Sequence, residues 1–428
     1  MKIASVTARQ LLDCKARPLV EVEIRTDGGQ VSRGSSPTGS SVGAHEAFVL
    51  RDGDRLEYNG LSVHHAVASV TDEIAPLLLG RTLDDLAALD RLLIELDGTP
   101  DKSRLGGNAI YSTSIALLRA AAAAAGEPTY RYVTELAGLA PVSTVPVPSF
   151  NVINGGRYGD VVQPFNEFIV MPFRATSIQQ AIESAVRLFG VLDGVLTEYL
   201  GRAPQVASSY GFAAPTGDPR RVLELMSEAV ERAGLTDTMA FALDCASSEM
   251  YDDRSATYHL LGNRVSSAEL IDYARELTSA FPLVFVEDLL DEDDWEGYPV
   301  AVSTIKDSLI LGDDLIVTNR DRLARAVVTG AVDGFVLKPN QVGTITEALE
   351  CYTYARAHGV HAVPSGRSGG VVDDVVMDLS VGLGVPFQKN GAPRSGERIE
   401  KLNYLLRVSE QIADCTLADV PAIAKFSR

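Results

Sequence analysis

The chain is poor in cysteine, in positive charge and in long apolar runs. Its four cysteines, Cys14, Cys245, Cys351 and Cys415, are scattered with no CxxC spacing. That pattern predicts reduced thiols in a cytoplasmic protein, not a disulfide framework. The formal net charge is −19, which leaves no basic stripe for a phosphate backbone and excludes nucleic acid as the expected partner. An acidic chain still binds a small anionic metabolite where a metal or a few Lys and Arg line the pocket. The opening stretch "MKIASVTARQ" has no apolar core of a signal peptide. The longest apolar run, "IALLRAAAAAAG", is interrupted by Arg119 and is too short to span a bilayer, so no membrane partner is expected.

What is present is enough apolar material for one large core or two: 46% of 428 residues are hydrophobic. Residues 1–60 read as strands and turns. "PLVEVEIRTDGGQVSRGSS" alternates with period two on either side of Thr26-Asp27-Gly28-Gly29, a hairpin signal. Residues 62–137 turn helical, with apolar spacing of three and four in "LDDLAALDRLLIEL" and "NAIYSTSIALLRAAAAAAG". Strands followed by helices predict an α+β capping domain over residues 1–136. "AGLAPVSTVPVPS", with three prolines, reads as the crossing to a second domain over residues 143–428.

In that second domain short apolar strands alternate with helical stretches, the pattern of an α/β fold with a parallel sheet buried on both faces. The residue that closes each strand is polar: Asp244 after "AFAL", Glu287 after "LVFV", Asp313 after "LILG", Lys338 after "GFVL" and Ser365 after "HAVP". From Glu287 the intervals are 26, 25 and 27 residues, and Lys389 follows 24 later. Each is about the length of one strand, one helix and two loops. Such units, each with a functional-type residue at the strand's C-terminal end, predict a (βα) barrel with its site on that face.

Asp244, Glu287 and Asp313 would then converge. Three carboxylates do not share a small space without a cation, because like charges oppose joint ionisation. Oxygen ligands with no nearby His or Cys point to Mg²⁺. A single strand-end acid reads more readily as a helix cap; three in one register favour a metal. Lys338 stands next around the ring. Positive charge and burial there would lower its pKa toward that of a useful base. A metal-held carboxylate with a lysine at its α-carbon is a proton-abstraction site. In "FVEDLLDEDDW" (285–295) Glu287 is the expected ligand and Asp288 sits beside the site; the acids from Asp291 onward read as a solvated loop and helix start.

The chain resembles the enolase superfamily over nearly its whole length. The likeness rests on "VPVPSFNVINGG", "ALDCASSEMY", "VEDLLDEDDW", "LGDDLIVTN", "LKPNQVGTITEA" and "QKNGAPRSGER", in that order, with "PTGSSVGAHEAFVLRDGD" similar to the lid loop. The resemblance implies an enolase-type barrel under a capping domain, Mg²⁺, a small anionic substrate and a homodimer. It matches Asp244, Glu287 and Asp313 to the metal ligands, Lys338 to the general base and Lys389 to the lysine that holds the substrate carboxylate. It matches Arg367 and Ser368 to the phosphate-binding pair, Ser41 to the lid serine, and Glu167 to an acid near the leaving hydroxyl.

The departures fall on one half of the mechanism. Ser209, in "ASSYGFAAP", stands where the resemblance places a glutamate that helps hydroxide leave. Tyr158, in "GGRYGD", and Gly366, in "SGRSGG", stand where it places histidines, and "DCKARP" departs from DSRGNP. The half that binds metal and removes the α-proton is intact. The expectation is therefore altered chemistry on 2-phosphoglycerate or an analogue with another phosphorus group. One enolase-like branch of that kind is carboxyphosphonoenolpyruvate synthase, in phosphonate biosynthesis. The alternatives are ordinary dehydration, with Asp160 or Tyr210 as a stand-in, and a non-catalytic binding protein on the same scaffold.

Overall fold

The computed structural model describes residues 1–39, 43–156 and 163–426. Ser41, Tyr158 and Asp160 lie outside the described residues. The chain opens with an antiparallel sheet of β1 (Ile3–Leu12), β2 (Pro18–Thr26) and β3 (Val31–Ser35), and β2 and β3 form the expected hairpin. Alternation along β2 places Val20, Val22 and Ile24 on one face, all fully buried. Helices α1 (Leu86–Asp97), α2 (Gly107–Ala125) and α3 (Thr129–Leu136) follow. The alanine-rich run is α2, and it packs against β2 and β3. Gly34 makes that approach possible, since a Cβ there would lie 2.2 Å from the Ser112 carbonyl oxygen. Among the described residues no single helix is long and apolar enough to cross a membrane; α2 and α3 together reach the length but meet at a 97° bend.

Eight further strands close a ring: β4 (Val147–Asn154), β5 (Glu167–Met171), β6 (Ala240–Asp244), β7 (Leu283–Glu287), β8 (Leu309–Gly312), β9 (Gly334–Leu337), β10 (His361–Pro364) and β11 (Phe387–Lys389). The order is β10-β9-β8-β7-β6-β5-β4-β11, and a parallel bridge from Ser365 to Lys389 joins the ends. The fold is α/β, an enolase-type barrel with an N-terminal α+β domain. The sequence predicted a wholly parallel sheet, and one strand corrects this. β5 runs antiparallel to both β4 and β6. Asn154 and Glu167 pair in register, so the chain between them returns at the same end of the ring. Glu167 is thus the first residue of its strand, yet it lies beside the last residues of the others.

The barrel interior is filled by Val147, Ile169, Met171, Ala240, Val284, Phe285, Leu311, Val363 and Phe387. Phe285 and Phe387 stack at 5.5 Å and 8°. Val420 and Phe426 join this cluster, with Phe426 edge-on to Phe173 at 5.6 Å. The N-terminal domain docks on the segment after β9 and on the helix Ile345–Ala357. Lys102 pairs with Glu347 at 3.0 Å, and the buried Asp90 accepts from the Thr346 amide (3.0 Å) and hydroxyl (2.6 Å).

Candidate active site

The expected strand-end residues meet in one buried polar pocket. Glu167, Asp244 and Glu287 stand in register across β5, β6 and β7. Lys389, which closes β11, reaches all three: its Nζ lies 2.5 Å from Glu287, 3.2 Å from Asp244 and 3.4 Å from Glu167. Asn151 donates to the other Glu167 oxygen at 2.6 Å. Lys338, just past β9, pairs with Asp313 Oδ2, while Gln341 Nε2 donates to Asp313 Oδ1 at 2.9 Å. Gln341 belongs to the quoted "LKPNQVG", but sequence reasoning gave it no role.

Burial raises the Asp244 and Glu287 carboxyls above the ordinary range, against the pull of Lys389. Burial also works to raise Asp313, but the Lys338 ammonium outweighs it and holds that carboxyl low. Lys338 moves the other way from expectation. Burial alone would lower Lys338, as the sequence predicted, yet Asp313 against it raises the ammonium above the ordinary lysine value. Lys389 is raised likewise, by Glu287, Asp244 and Glu167.

Glu167, Asp244, Glu287 and Asp313 outnumber the two ammonium groups they meet, so a cation would relieve their mutual repulsion. Among the described residues Glu287 Oε1 is fully buried with no hydrogen-bond partner, and such an orphan acceptor asks for a ligand. The all-oxygen donor set fits Mg²⁺. Among the described residues a different acidic group also clusters: Asp288, Asp313 and Asp314 bring oxygens within 4.8 Å of one another. Both Asp288 oxygens accept from main-chain amides, of Asp313 at 2.7 Å and of Asp314 at 2.9 Å. Asp288 therefore braces the turn that presents Asp313, which accounts for its place beside the site.

Arg367, Ser368, Gly366 and Ser209 line the same pocket. Arg367 is paired with Glu46 of the capping segment at 2.8 Å, both buried. Ser209 is buried too, and Arg398 donates to its carbonyl at 2.5 Å and its hydroxyl at 3.3 Å. Tyr210, a suggested stand-in, donates its hydroxyl to the Cys14 carbonyl at 2.8 Å and has a pKa raised to about 12 by burial, so it is no ready acid. Arg398 and Lys401 both line the pocket. They sit three residues apart on the helix Gly396–Gln411, hence on one face. Sequence reasoning missed both, although "GER" was quoted.

The acids after Asp291 are not merely solvated. Glu292 accepts from the Ala44 amide at 3.1 Å, and Asp293 meets His45 at 3.1 Å. A Cβ on Gly43 would lie 2.9 Å from Asp314. Asp294 accepts from the Gly297 amide at 2.8 Å. Arg322 binds Asp293 at 3.2 Å, and its guanidinium also lies over Trp295, 5.2 Å from the ring centre. The run clasps residues 43–46 over the site.

Residues 3–133 match the family model described as "Enolase, N-terminal domain", and residues 142–420 match "Enolase, C-terminal TIM barrel domain". The chain is 41% identical over 416 residues to "Enolase" from Methanopyrus kandleri, with 96% of each protein covered. These matches favour the ordinary reaction over the altered chemistry that the departures suggested. They lend no support to a role in phosphonate biosynthesis.

Proposed function

The chain belongs to the enolase family, and from that premise we propose a lyase that forms an enolpyruvate from a phosphorylated three-carbon carboxylate. The name of the Methanopyrus kandleri relative favours 2-phosphoglycerate as the substrate. The observation that carries the reading is the pairing of two lysines with a surplus of strand-end carboxylates in one pocket. Mg²⁺ held by Asp244, Glu287 and Asp313 would neutralise these acids and polarise the substrate carboxylate. Lys338 Nζ takes the α-proton, and the C–H electron pair moves into the carboxylate as an enediolate. Lys389 sets its positive charge against that carboxylate. Arg367 and Ser368 hold the phosphate. The enediolate then collapses, the β-carbon–oxygen bond breaks, and hydroxide leaves as water once protonated. Glu167, which the resemblance matches to an acid near the leaving hydroxyl, supplies that proton.

A second reading keeps the first half and changes the last. It is favoured by Ser209, whose hydroxyl Arg398 already engages. Serine is a poor general acid, and loss of an acid at such a place lowers the rate by about 10²–10⁴. NMR in D₂O with Mg²⁺ and 2-phosphoglycerate separates the two. Rapid phosphoenolpyruvate formation supports ordinary dehydration. Deuterium exchange at the α-carbon without product supports the second reading. Neither exchange nor product overturns both.

A further inference from the structure

The turn after β8 is strained. Val317 and Thr318 both have left-handed φ, at 47° and 54°, and both are fully buried. β-Branched residues rarely adopt that conformation, and two in succession persist only where the surrounding structure holds them there. The segment belongs to "LGDDLIVTN", which also carries Asp313.

The strained turn delivers the Thr318 hydroxyl. Its Oγ1 accepts from the Lys338 amide at 2.8 Å. Its own proton then points to Gln341 Oε1 at 3.0 Å, with the Val336 carbonyl farther off at 3.4 Å. With Oε1 so engaged, Gln341 presents Nε2 to Asp313 Oδ1, at 2.9 Å. A reversed amide would set acceptor against acceptor there. The other Asp313 oxygen pairs with Lys338 Nζ. The bonds form a closed ring that leaves Lys338 at its main chain and returns at its ammonium. Gln341 is buried as well, so a lost partner in this ring leaves a polar group unsatisfied.

We propose that Thr318 and Gln341 are positioning residues for proton abstraction. Thr318 orients the Gln341 amide, Gln341 pins Asp313 Oδ1, and Asp313 Oδ2 with Lys338 Nζ is thereby held in one place. This rests on the reading of Lys338 as the base and Asp313 as a metal ligand. Neither Thr318 nor Gln341 acts on the reacting atoms directly. Their effect falls on the rate of proton removal and on the metal, while capture of the phosphate is left to Arg367 and Ser368.

Two substitutions at one position test this. Thr318→Val keeps the shape and removes the hydroxyl, and Thr318→Ser keeps the hydroxyl. One readout is deuterium exchange at the α-carbon of 2-phosphoglycerate in D₂O at saturating Mg²⁺, followed against substrate concentration. The other is Mg²⁺ affinity by titration calorimetry without substrate. Thr318→Val should lower the maximal exchange rate by about tenfold or more, with half-saturation shifted by no more than about twofold. It should also weaken Mg²⁺ binding by about tenfold, the scale of losing an outer partner of a metal ligand. Thr318→Ser should stay within about threefold of the native protein in both. If Thr318→Val does not fold, Gln341→Met carries the same expectations and leaves the hydroxyl the Val336 carbonyl as its acceptor. A folded hydroxyl-free or amide-free variant that exchanges and binds Mg²⁺ as the native protein does overturns the proposal. So does an equal loss in Thr318→Ser, which would make Thr318 a matter of packing alone. No exchange by the native protein, or exchange undiminished in Lys338→Ala, would instead sink the reading on which the proposal rests.

Discussion

The Glu46 carboxylate lies 2.8 Å from the Arg367 guanidinium, and neither side chain is more than 8% exposed. A residue of the N-terminal domain thus shares the cation that would hold the substrate's phosphate. Glu46→Gln keeps the shape and removes the charge. Breaking a buried pair is destabilising by about 3–5 kcal/mol when one partner is deleted, and less when an isostere keeps the hydrogen bond. The variant should unfold at lower denaturant, bind inorganic phosphate more tightly, and gain more stability from it than the native protein does. Chemical denaturation with and without phosphate reads all three. Unchanged phosphate affinity would show that Glu46 does not compete for Arg367.

Lys338 is raised by its contact with Asp313, yet the proposed reaction needs it as a base. Lys338→Ala should lower α-deuterium exchange by about 10²–10⁴ while leaving phosphate binding within about threefold. Exchange at the native rate would move the base elsewhere.

Ser209 stands in the pocket wall with Arg398 at its hydroxyl. Ser209→Glu introduces a carboxyl where hydroxide must leave and gives it that arginine as a partner. If departure of hydroxide limits turnover, phosphoenolpyruvate formation should rise by about 10²-fold with exchange unchanged. No rise, in a native protein that already turns over rapidly, would show that Ser209 is not a deficit.

Asp90 ties the two parts of the chain through Thr346. Burial raises its carboxyl to about 6, against the Thr346 hydrogen bonds that pull it down. The folded protein therefore keeps a proton that the unfolded chain releases near pH 4. Stability from this group falls as pH rises from about 4 to about 6 and is flat above that. Asp90→Asn should remove this slope. The variant's stability relative to the native protein should rise by up to about 3 kcal/mol between pH 4 and pH 7. Denaturant midpoints at four pH values in that range would show it, and parallel curves would contradict it.

Much of the site was legible because a polar residue that ends an apolar strand breaks a strong local pattern. Asp244, Glu287, Asp313, Lys338 and Lys389 all stand out in that way, and the register of β6 and β7 brings the first two together. Strand direction leaves no such mark. "EFIVM" reads the same whichever way it runs, so the reversal of β5 and the reason Glu167 reaches the site came only from pairing. Lys401 was hidden for a different reason: a lysine at helical spacing looks like a solvated face until the packing around it is known. Asp293 is exposed as expected, but its contact with His45 and that of the half-buried Glu292 with Ala44 were not foreseen, because those partners are 248 residues away. No local pattern carries a contact of that range.

The clasp over residues 43–46 has a spectroscopic side. The chain has one tryptophan, and Trp295 lies against Arg325, 4.0 Å from its ring centre, and Arg322. Arg322 is the residue that also grips Asp293, the anchor of His45. Arg322 is fixed further by the carbonyls of Leu315 and Glu292, to which it donates at 2.7 and 2.9 Å. The indole fluorescence of this protein therefore reports on one place alone, beside the acids that hold Ala44 and His45, because no second tryptophan contributes to the signal.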